Sequence, residues 1–217
     1  MGAHSVELKA IDEDPEGMAV AEAVGAGPTV LDCGCGGGRI ARRLAGCTVD
    51  GIELSADAAE KARPVCRQVV QGSITDAASW RALGTPKYEV IVFCHVLEHL
   101  TEPLVALKLA SERLSPSGHF VIVLPNVAIW RMRMHLLAGR WDYTDEGILD
   151  RTHVRFYTLK SARELLAEAH LRVREERLLV MPPGGAALRR LLVRGVRRLS
   201  RSATTHAFLF VATPART

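Results

Sequence analysis

Asp32 stands two residues before Gly34 in the stretch 29–43, TVLDCGCGGGRIARR, and Glu53 follows nineteen residues after that glycine. Glycines at 34 and 36 let bare backbone N–H groups approach a ligand, and helical spacing resumes at Arg39, adding a helix N-terminus. A carboxylate at this distance, closing the second apolar run 48–52, is placed to meet the two hydroxyls of an adenosine ribose. A dinucleotide would set its pyrophosphate on the turn, where Asp32 repels it, and Arg39 replaces the third glycine of a dinucleotide fingerprint. S-adenosylmethionine has no phosphate and carries a sulfonium and an ammonium group, both of which a nearby carboxylate attracts. It is therefore the expected cofactor.

The elements that must hold these residues follow from apolar runs and turn residues. Strands are predicted over 29–31, 48–53, 67–71, 88–94 and 119–124, with 88–94 apolar enough for the centre of a parallel sheet. Helices are predicted over 17–25, 39–44, 56–63 and 103–114, the third capped by Ser55, and a turn over 115–118. This alternation predicts an α/β, doubly wound sheet that binds ligands at the C-terminal strand ends. Two final strands are expected at 171–180 and 206–212.

With D-x-G-x-G at 32–36 and the spaced Glu53, the chain resembles the class I S-adenosylmethionine-dependent methyltransferases. The resemblance implies a Rossmann-like seven-stranded sheet with an antiparallel last strand and a lid inserted after the fifth strand. It implies one domain over 1–217: a cofactor-binding core at 28–124, a lid and acceptor insertion at 125–160, and a basic insertion at 181–205. Asp32, Gly34, Cys35, Gly36 and Cys94 would line the methionine end of the cofactor, Glu53 would hold the ribose, and Leu54 would pack on the adenine. Ser73 and Ile74 fall where relatives often carry an acid for the adenine amino group, so Ser73 or nearby Asp76 would take that task.

The insertion, with Trp130, Arg131, Trp141 and the run D-R-T-H-x-R-F-Y-T at 150–158, is similar to a narrower branch. That branch includes the methionine-biosynthesis protein MetW and relatives found beside sugar-modifying enzymes, and there the insertion covers the acceptor. Methyl transfer to a hydroxyl calls for a base, and histidine suits neutral pH. His153 is the leading candidate, with Asp150 to orient it or to bind substrate, and His95 just past the fourth strand is the second. Asn126, Tyr143 and His99 are candidate acceptor contacts, and Arg151 and Arg155 would clamp a carboxylate or phosphate. A plainer alternative pairs Asp150 with Arg155 as a buried ion pair that only folds the lid.

No metal ligand is assigned. The run 95–99 matches the inverted zinc-protease pattern H-x-x-E-H, but that pattern needs a helix and this run closes a strand. Some similar O-methyltransferases group acids and a histidine around a divalent cation here; His95 stands in place of the first acid and argues against a hard cation. Cys33 and Cys35 form one close pair with no second pair, and the five cysteines suit a reduced, cytoplasmic protein. No apolar run reaches the length of a membrane span, and the acidic start lacks signal-peptide order.

The formal charge of +4 is unevenly placed: from residue 181 onward there are seven arginines and no acid, leaving 21 basic against 24 acidic residues before it. Residues 188–201 alternate leucine and arginine at helical spacing, which suits a solvated basic face, an anionic membrane or a lipid-linked acceptor. Without interleaved aromatics, no nucleic-acid partner is expected; the protein is expected to be a monomer or homodimer. The expected reaction is methyl transfer to a hydroxyl of a small-molecule acceptor, a sugar or natural-product intermediate, anionic if the arginines clamp it. N-methylation of an amine or amino-acid-like scaffold, and a non-catalytic cofactor-binding partner protein, remain the alternatives.

Overall fold

Apolar runs without polar alternation belong in a sheet covered on both faces. The computed structural model, which describes residues 14–84, 86–180 and 201–215, places five of them side by side in parallel. These are β1 (Thr29–Cys33), β2 (Thr48–Glu53), β3 (Gln68–Gln71), β4 (Tyr88–Cys94) and β5 (Leu114–Pro125). Two further strands, β6 (Leu171–Leu179) and β7 (Ala207–Pro214), complete a seven-stranded sheet in the order β3-β2-β1-β4-β5-β7-β6. The last strand runs antiparallel between β5 and β6, as the resemblance implied.

Successive side chains leave opposite faces of a strand, so the sheet has two cores. Val30, Val49, Val90, Val92, Val121 and Val123 fill one, while Leu31, Ile52, Ile91, Phe93, Phe120 and Ile122 fill the other. Two carboxylates are buried on these strands, Asp32 on β1 and Asp50 on β2, and the second is fully paired. Asp50 accepts from the Tyr88 hydroxyl at 2.7 Å, from Gln68 Nε2 at 3.2 Å and from Arg67 Nε at 2.9 Å, so the cost of burying its charge is offset by charge-assisted bonds.

The helices are α1 (Pro15–Val24), α2 (Ala56–Ala62), α3 (Ala77–Ala82), α4 (Pro103–Ser111), α5 (Trp130–Leu137) and α6 (Leu159–Glu168). Caps set several starts: Asp14, Ser55 and Asp76 each accept from a backbone N–H of the first turn, and Thr158 with Ser161 forms a capping box. The helix expected over 39–44 contracts to a single 3₁₀ turn, Ala41–Arg43, because Gly36 and Gly38 keep positive φ and use up the residues before it. The turn expected over 115–118 interrupts β5 itself, as a shift between the Tyr88 and Val90 pairings. The arginine-rich helix read over 188–201 lies outside the described residues, except for a 3₁₀ turn at Arg201–Thr204.

Chain order reverses between β1 and β4, so the crevice of this sheet opens past their C-terminal ends. Among the described residues no helix is long and apolar enough to cross a membrane.

Candidate active site

The turn after β1 is built by β2. Gly34 and Cys35 both donate backbone N–H groups to the Ile52 carbonyl, at 2.8 and 3.2 Å. Gly34 has φ +74°, and a Cβ there would come within 2.6 Å of Val96 Cγ2, so the turn needs glycine to pack against the segment after β4. Glu53 closes the arrangement: Oε2 accepts from the Gly36 N–H and Oε1 from the Ser55 N–H, each at 2.8 Å. Leu54 beside it is 71 % exposed, an apolar surface left at the rim.

Asp32 is buried under this turn and its Oδ2 meets no partner among the described residues. Burial pushes its carboxyl up to about 7, against the pull of the Arg39 guanidinium and with a small push from Glu53. Such a group lacks only a cation. Arg39 spans the mouth of the crevice, donating to Asp14 Oδ2 at 2.5 Å and reaching Cys94 Sγ at 3.3 Å. Burial raises the Cys94 thiol to about 12, which keeps it a neutral wall. A cation beside Asp32 and a diol beside Glu53 is the pattern that S-adenosylmethionine presents, and these residues fit it.

At the adenine side, Ser73 bonds Thr75 Oγ1 at 2.8 Å and Asp76 caps α3 through the Ala78 N–H. Ile74 is a core side chain whose carbonyl accepts from Trp80 Nε1 at 2.9 Å. All three are committed to the fold at this corner.

Past β4, His95 takes φ +56°, an uncommon conformation for histidine that aims its ring between two carboxylates. Its Nε2 meets Glu16 Oε2 at 2.8 Å and its Nδ1 meets Glu98 Oε1 at 3.2 Å, while Glu16 Oε1 meets His206 Nε2 at 2.6 Å. Glu16, in the first turn of α1, thus ties the N-terminal helix to the ends of β4 and β7. Burial works against the charge on His95, but the two carboxylates outweigh it and raise the imidazole to about 9. Burial likewise opposes charge on Glu16, and the two histidines outweigh it and hold the carboxyl well below its ordinary value.

This latch has a pH signature. Its histidine part is complete below the ordinary value of 6.5 and is lost as pH rises through about 9. Its carboxylate part is complete above 4.5 and is lost as pH falls through the depressed value of Glu16. Glu16→Gln is therefore expected to lower stability most between those two ordinary values and progressively less toward pH 9, read by urea unfolding at stepped pH. Parallel profiles for variant and parent would remove the latch.

The run 150–158 docks on the same turn through its backbone, Val154 and Arg155 both donating to the Glu98 carbonyl at 3.0 Å. This brings the His153 and His99 rings to 4.6 Å, edge to face. His153 Nδ1 donates to the Ile148 carbonyl at 3.0 Å, so in the neutral ring the lone pair falls on Nε2. The Thr152 hydroxyl donates to Asp150 Oδ1 at 2.6 Å, which leaves Thr152 Oγ1 and its carbonyl to accept from His99 Nδ1–H at 3.0 and 3.2 Å. In the neutral His99 ring the lone pair likewise falls on Nε2. Asp150 accordingly orients His99 through Thr152 and does not touch His153.

Other expected contacts are spent on the fold. Asn126 is buried and donates to the Ser202 and Thr205 carbonyls at 2.7 Å while accepting from the Ala128 N–H at 2.9 Å. Arg155 donates to the Leu100 and Thr101 carbonyls, Arg151 pairs with Asp145 at 3.0 Å on the surface, and Tyr143 is half-exposed. The Asp150–Arg155 ion pair of the plainer alternative does not form. A cavity of about 980 Å³ instead lies between β4, α1 and the lid, lined by Glu16, Glu98, five histidines (95, 99, 135, 153, 206), Ile129, Met132 and Leu149. Arg131 and Arg140 also line it, adding to the positive charge on His95. Glu16 and His206 carry no signal in the sequence: they meet across nearly the whole chain, and no spacing marks such a pair.

A family model described as "Methyltransferase domain" matches residues 11–176. Ubiquinone biosynthesis O-methyltransferases are similar: that of Vibrio parahaemolyticus is 35 % identical over 101 residues, 43 % of this chain and 42 % of that protein. That of Thiobacillus denitrificans is 33 % identical over 102 residues, with the same coverage of 43 % and 42 %. The chain thus spans less than half the length of these curated relatives. The CcbJ methyltransferase of Streptomyces caelestis shares the fold, with TM-score 0.61 and 20 % identity over 93 % of this chain and 96 % of that one. So does the magnesium protoporphyrin IX methyltransferase of Synechocystis, solved with bound SAH, with TM-score 0.62 and 14 % identity over 95 % and 83 % of the two chains. The chain therefore belongs to the methyltransferase-domain family and has the fold of the S-adenosylmethionine-dependent methyltransferases that it resembles.

Proposed function

We propose that the enzyme transfers the sulfonium methyl group to a hydroxyl of a small-molecule acceptor, a sugar or natural-product intermediate, held in the cavity beneath the lid. The acceptor oxygen attacks the methyl carbon in line with the leaving sulfur, which takes the electron pair of the broken C–S bond, and the hydroxyl proton passes to Nε2 of His153 and from there to solvent. Alignment supplies most of the acceleration and proton removal the rest. The observation that carries this reading is the group of Glu98, His99 and His153, with two imidazole lone pairs fixed by backbone acceptors beside the end of β4. A hydroxyl needs such a group, whereas a neutral amine does not. The Vibrio relative, an O-methyltransferase, supports oxygen as the accepting atom.

The test is transfer of labelled methyl from S-adenosylmethionine to a panel of hydroxylated sugars and phenols, each paired with its amine isostere. Label on the hydroxyl compounds is expected; label confined to amines would overturn the reading. Affinity for S-adenosylmethionine is also expected to fall, approaching tenfold per unit, as pH drops below about 7, the value to which burial lifts Asp32. Protonation removes the charge that the sulfonium and ammonium groups meet. Asp32→Asn should abolish that slope, and an unchanged slope in the variant would assign it elsewhere.

A further inference from the structure

We infer that Arg39, backed by Arg43, receives the α-carboxylate at the methionine end of the cofactor, and that Asp14 holds the place of that carboxylate until the cofactor arrives. The two arginines converge on one oxygen: Arg39 Nη1 meets Asp14 Oδ2 at 2.5 Å and Arg43 Nε meets it at 3.3 Å. Two guanidinium groups thus share a single carboxylate, which balances only one of their charges. The Arg43 side chain is 9 % exposed, and its Nη2 has no partner among the described residues. Buried guanidinium nitrogens are normally paired, so the cluster is short of an anion. The contact is built into the fold, because Gly17 of α1 leaves room for it. A Cβ at that position would come within 2.2 Å of Asp14 Oδ2 and 2.8 Å of Arg43 Cδ.

The place of the cluster says which anion is missing. Asp32 is set for the cations of the cofactor, and an amino acid carries its carboxylate one carbon from its ammonium. The receptor for that carboxylate must therefore adjoin Asp32. Arg39 does so: at Asp32 burial raises the carboxyl and the Arg39 charge opposes it. Its Nη2 reaches Cys94 Sγ at 3.3 Å, at the end of β4, the strand paired with β1. A guanidinium is matched to a carboxylate through two parallel N–H groups, whereas here one Nη meets Asp14 and the other a neutral thiol, a weak acceptor. A carboxylate oxygen in place of that thiol improves the bond, and the Arg39 side chain, 48 % exposed, has room to turn. The exchange also reaches α1. Asp14 Oδ1 caps the helix by accepting from the Gly17 N–H at 2.8 Å, while Oδ2 holds the arginines. A cofactor carboxylate on Arg39 leaves that cap in place and removes one of the two ties between α1 and the glycine turn.

The test is calorimetric affinity of the full chain for S-adenosylmethionine and for its decarboxylated form, which differ in the carboxylate alone. The quantity read is the ratio of the two affinities, which a merely structural change at the turn does not move. Arg39→Gln should lower that ratio about tenfold or more, as loss of a hydrogen bond between charged groups does. Asp14→Asn keeps a capping oxygen for Gly17 without the charge, and should raise the ratio. Binding of the decarboxylated form shows that each variant has folded; if Arg39→Gln has not, Arg39→Lys replaces it, keeping the charge but not the fork, with a smaller fall expected. A ratio unchanged by substitution of Arg39 overturns the receptor. A ratio unchanged or lowered in Asp14→Asn overturns the part given to Asp14. Parent protein that binds neither ligand overturns the cofactor reading itself, and the receptor with it.

Discussion

His153→Ala is expected to lower turnover on a hydroxyl acceptor by about 10²–10⁴-fold, the range that a positioned proton acceptor supplies. S-adenosylmethionine affinity should stay unchanged, because His153 lies on the lid and the cofactor residues lie on the turns after β1 and β2. The loss follows because His153 takes the hydroxyl proton as the new C–O bond forms. That contribution is made in the transition state more than in the ground state, so kcat falls and KM moves little. The substitution also removes an edge-to-face contact with His99 and another with Phe156 at 6.3 Å, which makes a folding control necessary. Retained cofactor binding is that control. Rapid-quench turnover within a few-fold of the parent, in protein that binds cofactor normally, would remove His153 from proton transfer, and absence of turnover in the parent itself would return the chain to the non-catalytic alternative.

The fold was legible because parallel-sheet strands advertise themselves. The strand at 88–94 carries Val90, Ile91, Val92 and Phe93 without interruption, and its observed bounds match the expected ones. Short helices were less so. α3 has six residues, too few for an apolar stripe, and only its cap at Asp76 announces it. α6 has a full amphipathic pattern and a capping box, Thr158 with Ser161, that the acid-based form of the motif does not reveal.

Of the site, what sequence conveyed was what local spacing encodes. Glu53 reaches the glycine turn because β1 and β2 pair in register, Asp32 against Gly51. Arg151 and Arg155 misled because an arginine in a turn has many uses, and backbone carbonyls left open at 100 and 101 claim the second. The Glu16 latch was invisible because three elements distant in sequence meet there, and charge patterning along a chain says nothing of that.

Glu53→Ala is expected to weaken binding of both S-adenosylmethionine and its demethylated product by about tenfold or more, roughly 1.4 kcal/mol. Both ligands carry the same ribose, so the loss should be equal for the two, unlike the pH effect at Asp32. Part of it comes from the protein itself, since the carboxylate also fastens the Gly36 and Ser55 N–H groups. Glu53→Gln separates these contributions. The amide keeps one oxygen for one N–H but turns an NH₂ toward the other, so the turn is loosened and an acceptor for the ribose is lost. Glutamine should therefore behave much like alanine. Affinity restored to the parent value by glutamine would mean that charge is immaterial at this position. Calorimetric affinities unchanged in both variants would mean that Glu53 serves the turn alone, and the nucleoside would have to be held elsewhere along the crevice.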